Sequence, residues 1–224
     1  MSEYLSEKEQ WEQIRSWVRD NGLWVVSGVA LAFAGIGAWR WWQGYLDAQG
    51  ARASATYTLM VQALERGDRT QAFMRLGELE RDYGSSPYAD QGKLLAARVY
   101  VEGNELDKAA HELQTVTRDS KDRELALVAR LRLARVQIAQ GKPDEALGTL
   151  NAVEPGAFAA RYHEARGDVY YAKGDKAAAL KEYRGAEGGA DAGDTALLNL
   201  KIAELAADTP AAPPASAATA GPAK

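Results

Sequence analysis

The side chains best equipped for chemistry are scarce or badly spaced in this chain. It contains no cysteine, which removes thiolate nucleophiles, thiolate-ligated zinc and disulfide frameworks together. Its two histidines, His111 and His163, do not fall in an H-x-x-x-H spacing, so no helix face presents paired imidazoles to a metal. No G-x-S-x-G, Walker loop, H-E-x-x-H or paired-carboxylate motif is present. Gly188-Gly189-Ala190-Asp191 is glycine-rich but precedes no strand, which argues against a phosphate loop. No catalytic residue, cofactor or metal is therefore expected. With a net charge of -4 and a pI near 5.4, the chain also lacks the basic field that nucleic-acid binding requires.

What these residues suit is contact with other proteins. Gly67, Gly103, Gly141 and Gly174 separate apolar-periodic segments, and the residue three before each is Leu64, Tyr100, Ile138 and Tyr171. On the inner face of a curved helix stack, these four would make an apolar strip for unfolded or extended segments. The same positions also suit packing between helices, and the sequence leaves both readings open. Tyr100 and Tyr171 stand out as contact residues, because tyrosine joins a large apolar area to a polar tip.

Holding such a strip requires a helical repeat. From about residue 50 to 206 the chain is rich in Ala, Leu, Glu, Lys and Arg, with no alternating strand pattern. The four glycines lie 36, 38 and 33 residues apart, close to the period of about 34 residues that marks two-helix tetratricopeptide units. Ala72, Ala146 and Ala179 each follow their glycine by five positions, where a small residue lets two helices approach closely. After Gly103 the alanine is Ala109, one position late, which reads as an insertion in that turn. The unit from His163 to Ala186 fits the tetratricopeptide pattern best, with Gly167, Tyr170, Gly174, Ala179, Tyr183 and Ala186 in its small and aromatic positions. Gly141-Lys142-Pro143-Asp144 and Tyr83-Gly84-Ser85-Ser86-Pro87 stop one helix and start the next. Thr195 to Ala206 reads as a lone closing helix. Residues 207–224, rich in Ala and Pro, hold no bulky apolar residue and are expected to form a disordered tail.

The mean hydropathy of -0.37 belongs to a largely soluble chain, so its apolar character is concentrated elsewhere. From Leu23 to Trp39 no residue is charged, and about 17 to 20 apolar residues suffice to cross the hydrocarbon layer. Trp17, Trp24, Trp39, Trp41, Trp42 and Tyr45 bracket the run like an interfacial aromatic belt, and Arg40 can snorkel to the headgroups. A buried core helix would not need those aromatics. A cleaved signal peptide would need a basic leader and a nearby A-x-A, but the leader is acidic and Ala51-Arg52-Ala53 lies far downstream. An uncleaved anchor over 22–45 follows, between an amphipathic segment at 1–21 and a repeat domain at 46–206. Lys8, Arg15 and Arg19 before the span outnumber Arg40 and Arg52 after it, which tilts the orientation toward a cytoplasmic N-terminus. Ser6 and Glu9 fit a capping box, and Trp11, Ile14 and Val18 share one helical face, suited to a membrane surface or a docking partner. Asn21-Gly22 is expected to break the helix before the span. Ala30, Ala34, Gly37 and Ala38 form a small-residue stripe on which another membrane helix could pack.

The expected fold class is all-α: one N-terminal transmembrane helix followed by an α-solenoid of tetratricopeptide-like helix pairs. In this order the chain resembles the ancillary subunit family of the SecYEG translocon. The likeness is carried by Glu12-Gln13-Ile14 with Trp17, by Asn21-Gly22, by the small-residue span and its Trp39-Arg40-Trp41-Trp42-Gln43 exit, and by the stretch from Phe73 to Tyr88. The resemblance implies a bacterial inner-membrane protein with a cytoplasmic N-terminus and a periplasmic repeat domain. It further implies the Sec translocon and a membrane-anchored periplasmic chaperone as partners, with emerging secretory segments as clients. A generic membrane-tethered scaffold for another cell-envelope complex is the alternative, and a membrane-bound enzyme is a third reading of a different class.

Overall fold

The computed structural model describes residues 7–189 and 193–208. Ser6 of the expected capping box, Ala190 and Asp191 of the glycine-rich loop, and the Ala/Pro tail from residue 209 onward lie outside the described residues. All regular structure among the described residues is helical. The chain divides into two compact units, one ending at Ala55 and one starting at Thr56.

The first unit is the leading part of helix α1 (Glu7–Glu65). Among the described residues, α1 is the one helix long and apolar enough to cross a membrane, with an 18-residue window of mean hydropathy 1.7 that is entirely unburied. Within this unit Leu23, Trp24, Val26, Leu31, Phe33 and Trp39 are exposed, an arrangement that lipid satisfies and water does not. The Trp41 and Trp42 rings lie 6.3 and 6.2 Å from that of Tyr45. The break expected at Asn21-Gly22 is absent, since both residues are helical. Asn21 Nδ2 donates to the Trp17 carbonyl at 3.0 Å and so caps no new start. A mid-helix glycine costs about 1 kcal/mol, less than opening backbone polar groups at the edge of a bilayer.

The second unit stacks helices in pairs. The last turns of α1 pair with α2 (Arg69–Tyr83), α3 (Pro87–Glu102) with α4 (Leu106–Asp119), α5 (Arg123–Ala139) with α6 (Pro143–Asn151), and α7 (Ala159–Ala172) with α8 (Lys176–Ala186). Helix α9 (Thr195–Asp208) closes the series against α8, burying Leu198 and Leu205. Helices touch mainly their chain neighbours, except that the first helices α3, α5 and α7 also pack directly on one another. That pattern defines a solenoid with a row of first helices along one face.

Each pair turns in the same way. Gly67, Asn104, Gly141 and Gly174 have φ of 76, 57, 75 and 79°. Their N–H groups donate to Leu64, Val101, Ile138 and Tyr171, and the next N–H donates to Ala63, Tyr100, Gln137 and Tyr170. These paired bonds satisfy carbonyls left open by the ending helix. The insertion expected after Gly103 is therefore not there. Gly103 has φ of -86°, and Asn104 takes the left-handed role, asparagine being the residue that enters it most readily after glycine. Counted from Asn104, Ala109 is in phase, and Ala72, Ala109, Ala146 and Ala179 are all fully buried.

The core is built between pairs. Helix α5 buries Ala129, Leu133 and Val136 against α3 and α4, and Leu127, Leu131 and Ala134 against α6 and α7. Fully buried Tyr162 ties α7 to α5 by donating its hydroxyl to the Leu127 carbonyl at 3.1 Å. Burial pushes the Tyr162 hydroxyl up to about 12. Gly167 lies flat against the ring of Tyr183, leaving no room for a Cβ.

A groove on the first-helix face

The C-terminal halves of α3 and α5 line a groove of ≈ 430 Å³, within the range of about 300–1,000 Å³ of ordinary ligand pockets. Leu94, Ala97 and Val101 from α3, Leu106 and Leu113 from α4, and Val136 and Ala139 from α5 give it an apolar lining. Arg98 and Glu102 stand on its α3 side, and Arg132 and Arg135 on its α5 side. Helix α4 starts just after the Asn104 turn, and its first residue, Leu106, packs partly buried against the α3–α4–α5 core and lines the groove.

The two sides differ in charge. Arg98 Nε donates to Glu102 at 2.8 Å, one turn along α3. Arg132 and Arg135 are exposed and have no ion-pair partner among the described residues. Helix α5 holds four arginines and one acidic residue, Glu124, in a chain whose net charge is -4.

The four residues expected to form a strip do not share a phase. Tyr171 is 48% exposed and lines a second depression with Asp168, Tyr183, Lys201, Glu204 and Leu205, between α7, α8 and α9. Val101, not Tyr100, occupies the matching position on α3, and it is 43% exposed. Tyr100 is partly buried against the α3–α4–α5 core, stacks on Phe73 at 4.8 Å, and lies under the Arg69 and Lys108 cations. Burial pushes its hydroxyl up. Arg69 and Lys108 both pair with Glu105, whose carboxyl the Lys108 hydrogen bond holds below its ordinary value. Ile138 packs partly buried against the α5–α6–α7 core, and Leu64 is half-buried. The small-residue stripe Ala30, Ala34, Gly37 and Ala38 is exposed along α1.

Sequence reading missed Val101, Leu106, Arg98, Arg132 and Arg135. The signal for the last two was the run Arg130-Leu131-Arg132-Leu133-Ala134-Arg135, unusually basic for this chain.

The second depression holds a partly buried charge cluster. Lys201 Nζ donates to Glu164 at 3.0 Å and to Asp168 at 2.8 Å, and lies 5.2 Å from the centre of the Tyr183 ring. Tyr183 Oη donates to the same Asp168 at 2.8 Å. Burial lowers the Lys201 ammonium, but hydrogen bonds to Asp168 and Glu164 outweigh it and leave the group raised. The Tyr183 hydroxyl is pushed up by burial first, then by the Asp168 charge. This cluster fastens the closing helix rather than offering a reactive group.

Paired helices turning at left-handed residues, buried alanines in phase and a row of first helices along one face define a tetratricopeptide-like solenoid. The sequence profile described as Tetratricopeptide repeat-like domain matches residues 15–207. Among curated relatives, the ancillary SecYEG translocon subunit of Escherichia coli (strain K12) is 32% identical over 176 residues, covering 79% of this chain and 84% of that one. The protein of the same name from Haemophilus influenzae is 29% identical over 187 residues, covering 84% and 91%. That from Neisseria gonorrhoeae is 28% identical over 184 residues, covering 82% and 88%. The chain belongs to the family of ancillary SecYEG translocon subunits, with their tetratricopeptide-like domain.

Proposed function

We propose that the protein is a non-enzymatic, single-pass inner-membrane scaffold. It associates with the Sec translocon and binds segments of emerging secretory proteins on the first-helix face of its solenoid. It presents those segments to a membrane-anchored periplasmic chaperone of the peptidyl-prolyl isomerase type. Residues 1–21 lie in the cytoplasm, 22–45 span the membrane, and the repeat domain from residue 46 faces the periplasm. The observation that most supports this reading is the open apolar groove between α3 and α5, in a solenoid that follows an exposed apolar helix. The names of the relatives supply the translocon.

The test is co-purification. Membranes holding the tagged full chain are solubilised in mild detergent and the bound proteins identified. The Sec channel and the chaperone are expected together. Retention of other envelope proteins without the Sec channel would instead favour a scaffold for another envelope complex.

A further inference from the structure

We infer that the α3–α5 groove is selective for client segments in which apolar residues are flanked by acidic ones, an inference that rests on the client-binding reading above. The lining from Leu94, Ala97, Val101, Leu106 and Val136 takes apolar side chains but discriminates little among them, because dispersion and hydrophobic burial are non-directional. Discrimination must come from the charged edge. There the single carboxylate, Glu102, is already paired with Arg98, whereas Arg132 and Arg135 carry no ion pair among the described residues. Two guanidiniums three residues apart on α5 lie on neighbouring positions of one helix face. Each presents a planar fork of donors suited to a carboxylate.

A segment with an acidic flank therefore gains charge-assisted hydrogen bonds beside the apolar groove. A segment with a basic flank brings like charge against the same edge and loses affinity. The preference is opposite to what the overall charge of -4 would produce, since an acidic chain as a whole attracts basic segments.

The full chain is reconstituted in nanodiscs, and binding of three labelled synthetic peptides is followed by fluorescence anisotropy. All share a Leu-Val-Leu centre, flanked by Asp and Glu, by Ser, or by Lys. The acidic-flanked peptide is expected to bind about tenfold or more tighter than the lysine-flanked one, with the serine peptide between them. Raising the salt should weaken the acidic peptide and leave the serine peptide nearly unchanged. The double variant R132E/R135E, on exposed positions that keep the helix intact by circular dichroism, should reverse the order. Equal binding of all three peptides, abolished by Val101→Asp, would overturn the charge preference and leave the client-binding reading standing. No binding of any peptide would overturn both. Saturable binding of dodecanoate with no peptide binding would mark the groove as an acyl-chain site and likewise overturn the inference.

Discussion

Gly167→Ala gives opposite signs under two views of the same residue. If Gly167 were merely a helical position, alanine would stabilise α7 by about 1 kcal/mol through propensity. The structure places a Cβ at Gly167 against Cδ1 and Cε1 of the Tyr183 ring, so the ring must move. Overpacking of this kind costs about 1–3 kcal/mol. A displaced ring also gives up the 2.8 Å bond from Tyr183 Oη to Asp168, where a charged acceptor contributes about 1.5–3 kcal/mol. It further weakens the contact with Lys201, worth about 0.5–1 kcal/mol. Set against the propensity gain, the net expectation is a loss of about 2–6 kcal/mol, the sum of those ranges. The assay is urea denaturation of residues 50–208 at neutral pH, followed by circular dichroism. Tyr183→Phe should cost less, and Gly167→Ala made on top of it should cost about 2 kcal/mol less than alone, because the hydrogen bond is already gone. A Gly167→Ala domain as stable as the original, or more so, would refute the close packing of α7 on Tyr183.

The other expectations concern turns, pH and topology. Gly174 has open space around its Cβ position but φ of 79°, so Gly174→Ala should cost about 1–2 kcal/mol from backbone strain alone, whereas Asn104→Gly should be neutral or stabilising in the same denaturation assay. The folded state raises the protonation equilibria of Tyr162, Tyr183 and Lys201, so it retains protons that the unfolded chain releases above pH 10. Their stabilisation is complete below that pH and lost as pH rises. Tyr162 alone contributes about 3 kcal/mol between its ordinary value and about 12, and Tyr162→Phe should flatten that limb of a pH titration of stability. For topology, the absence of native cysteine allows single labels at Lys8→Cys and Lys121→Cys. An impermeant maleimide on intact spheroplasts should label position 121 and not 8, and the reverse pattern would invert the assigned orientation.

The repeat was legible where its punctuation is chemical. Gly67, Gly141 and Gly174 mark left-handed turns that other residues enter at a cost, and the alanines five positions later are fixed by helix contact. It became illegible where another residue fills the same role. Asn104 took the left-handed position beside a glycine that did not need it, which shifted the expected contact residue from Val101 to Tyr100. Tyr100 looks like a surface aromatic in the sequence, yet Phe73 and Arg69, from α2, cover it. The double burial of α5 was hidden for a related reason, since a helix packed on two sides carries no single apolar stripe. Asn21-Gly22 shows the limit of turn chemistry, which a long apolar helix overrides. The groove could not be read at all, because it is lined jointly by α3, α4 and α5, whose mutual placement no local sequence pattern states.

The claim that emerging chains are received on the first-helix face is tested most directly by site-specific photo-crosslinking. A photoreactive amino acid replaces Val101 in the groove, and in a second protein replaces Gly148, which is exposed on the second helix α6. Each full-length protein is placed in membranes with a secretory chain arrested during translocation. Crosslinks to the arrested chain from position 101 and none from 148 are predicted. Equal crosslinking from both positions, or crosslinking from 148 alone, would contradict a client site on the first-helix face.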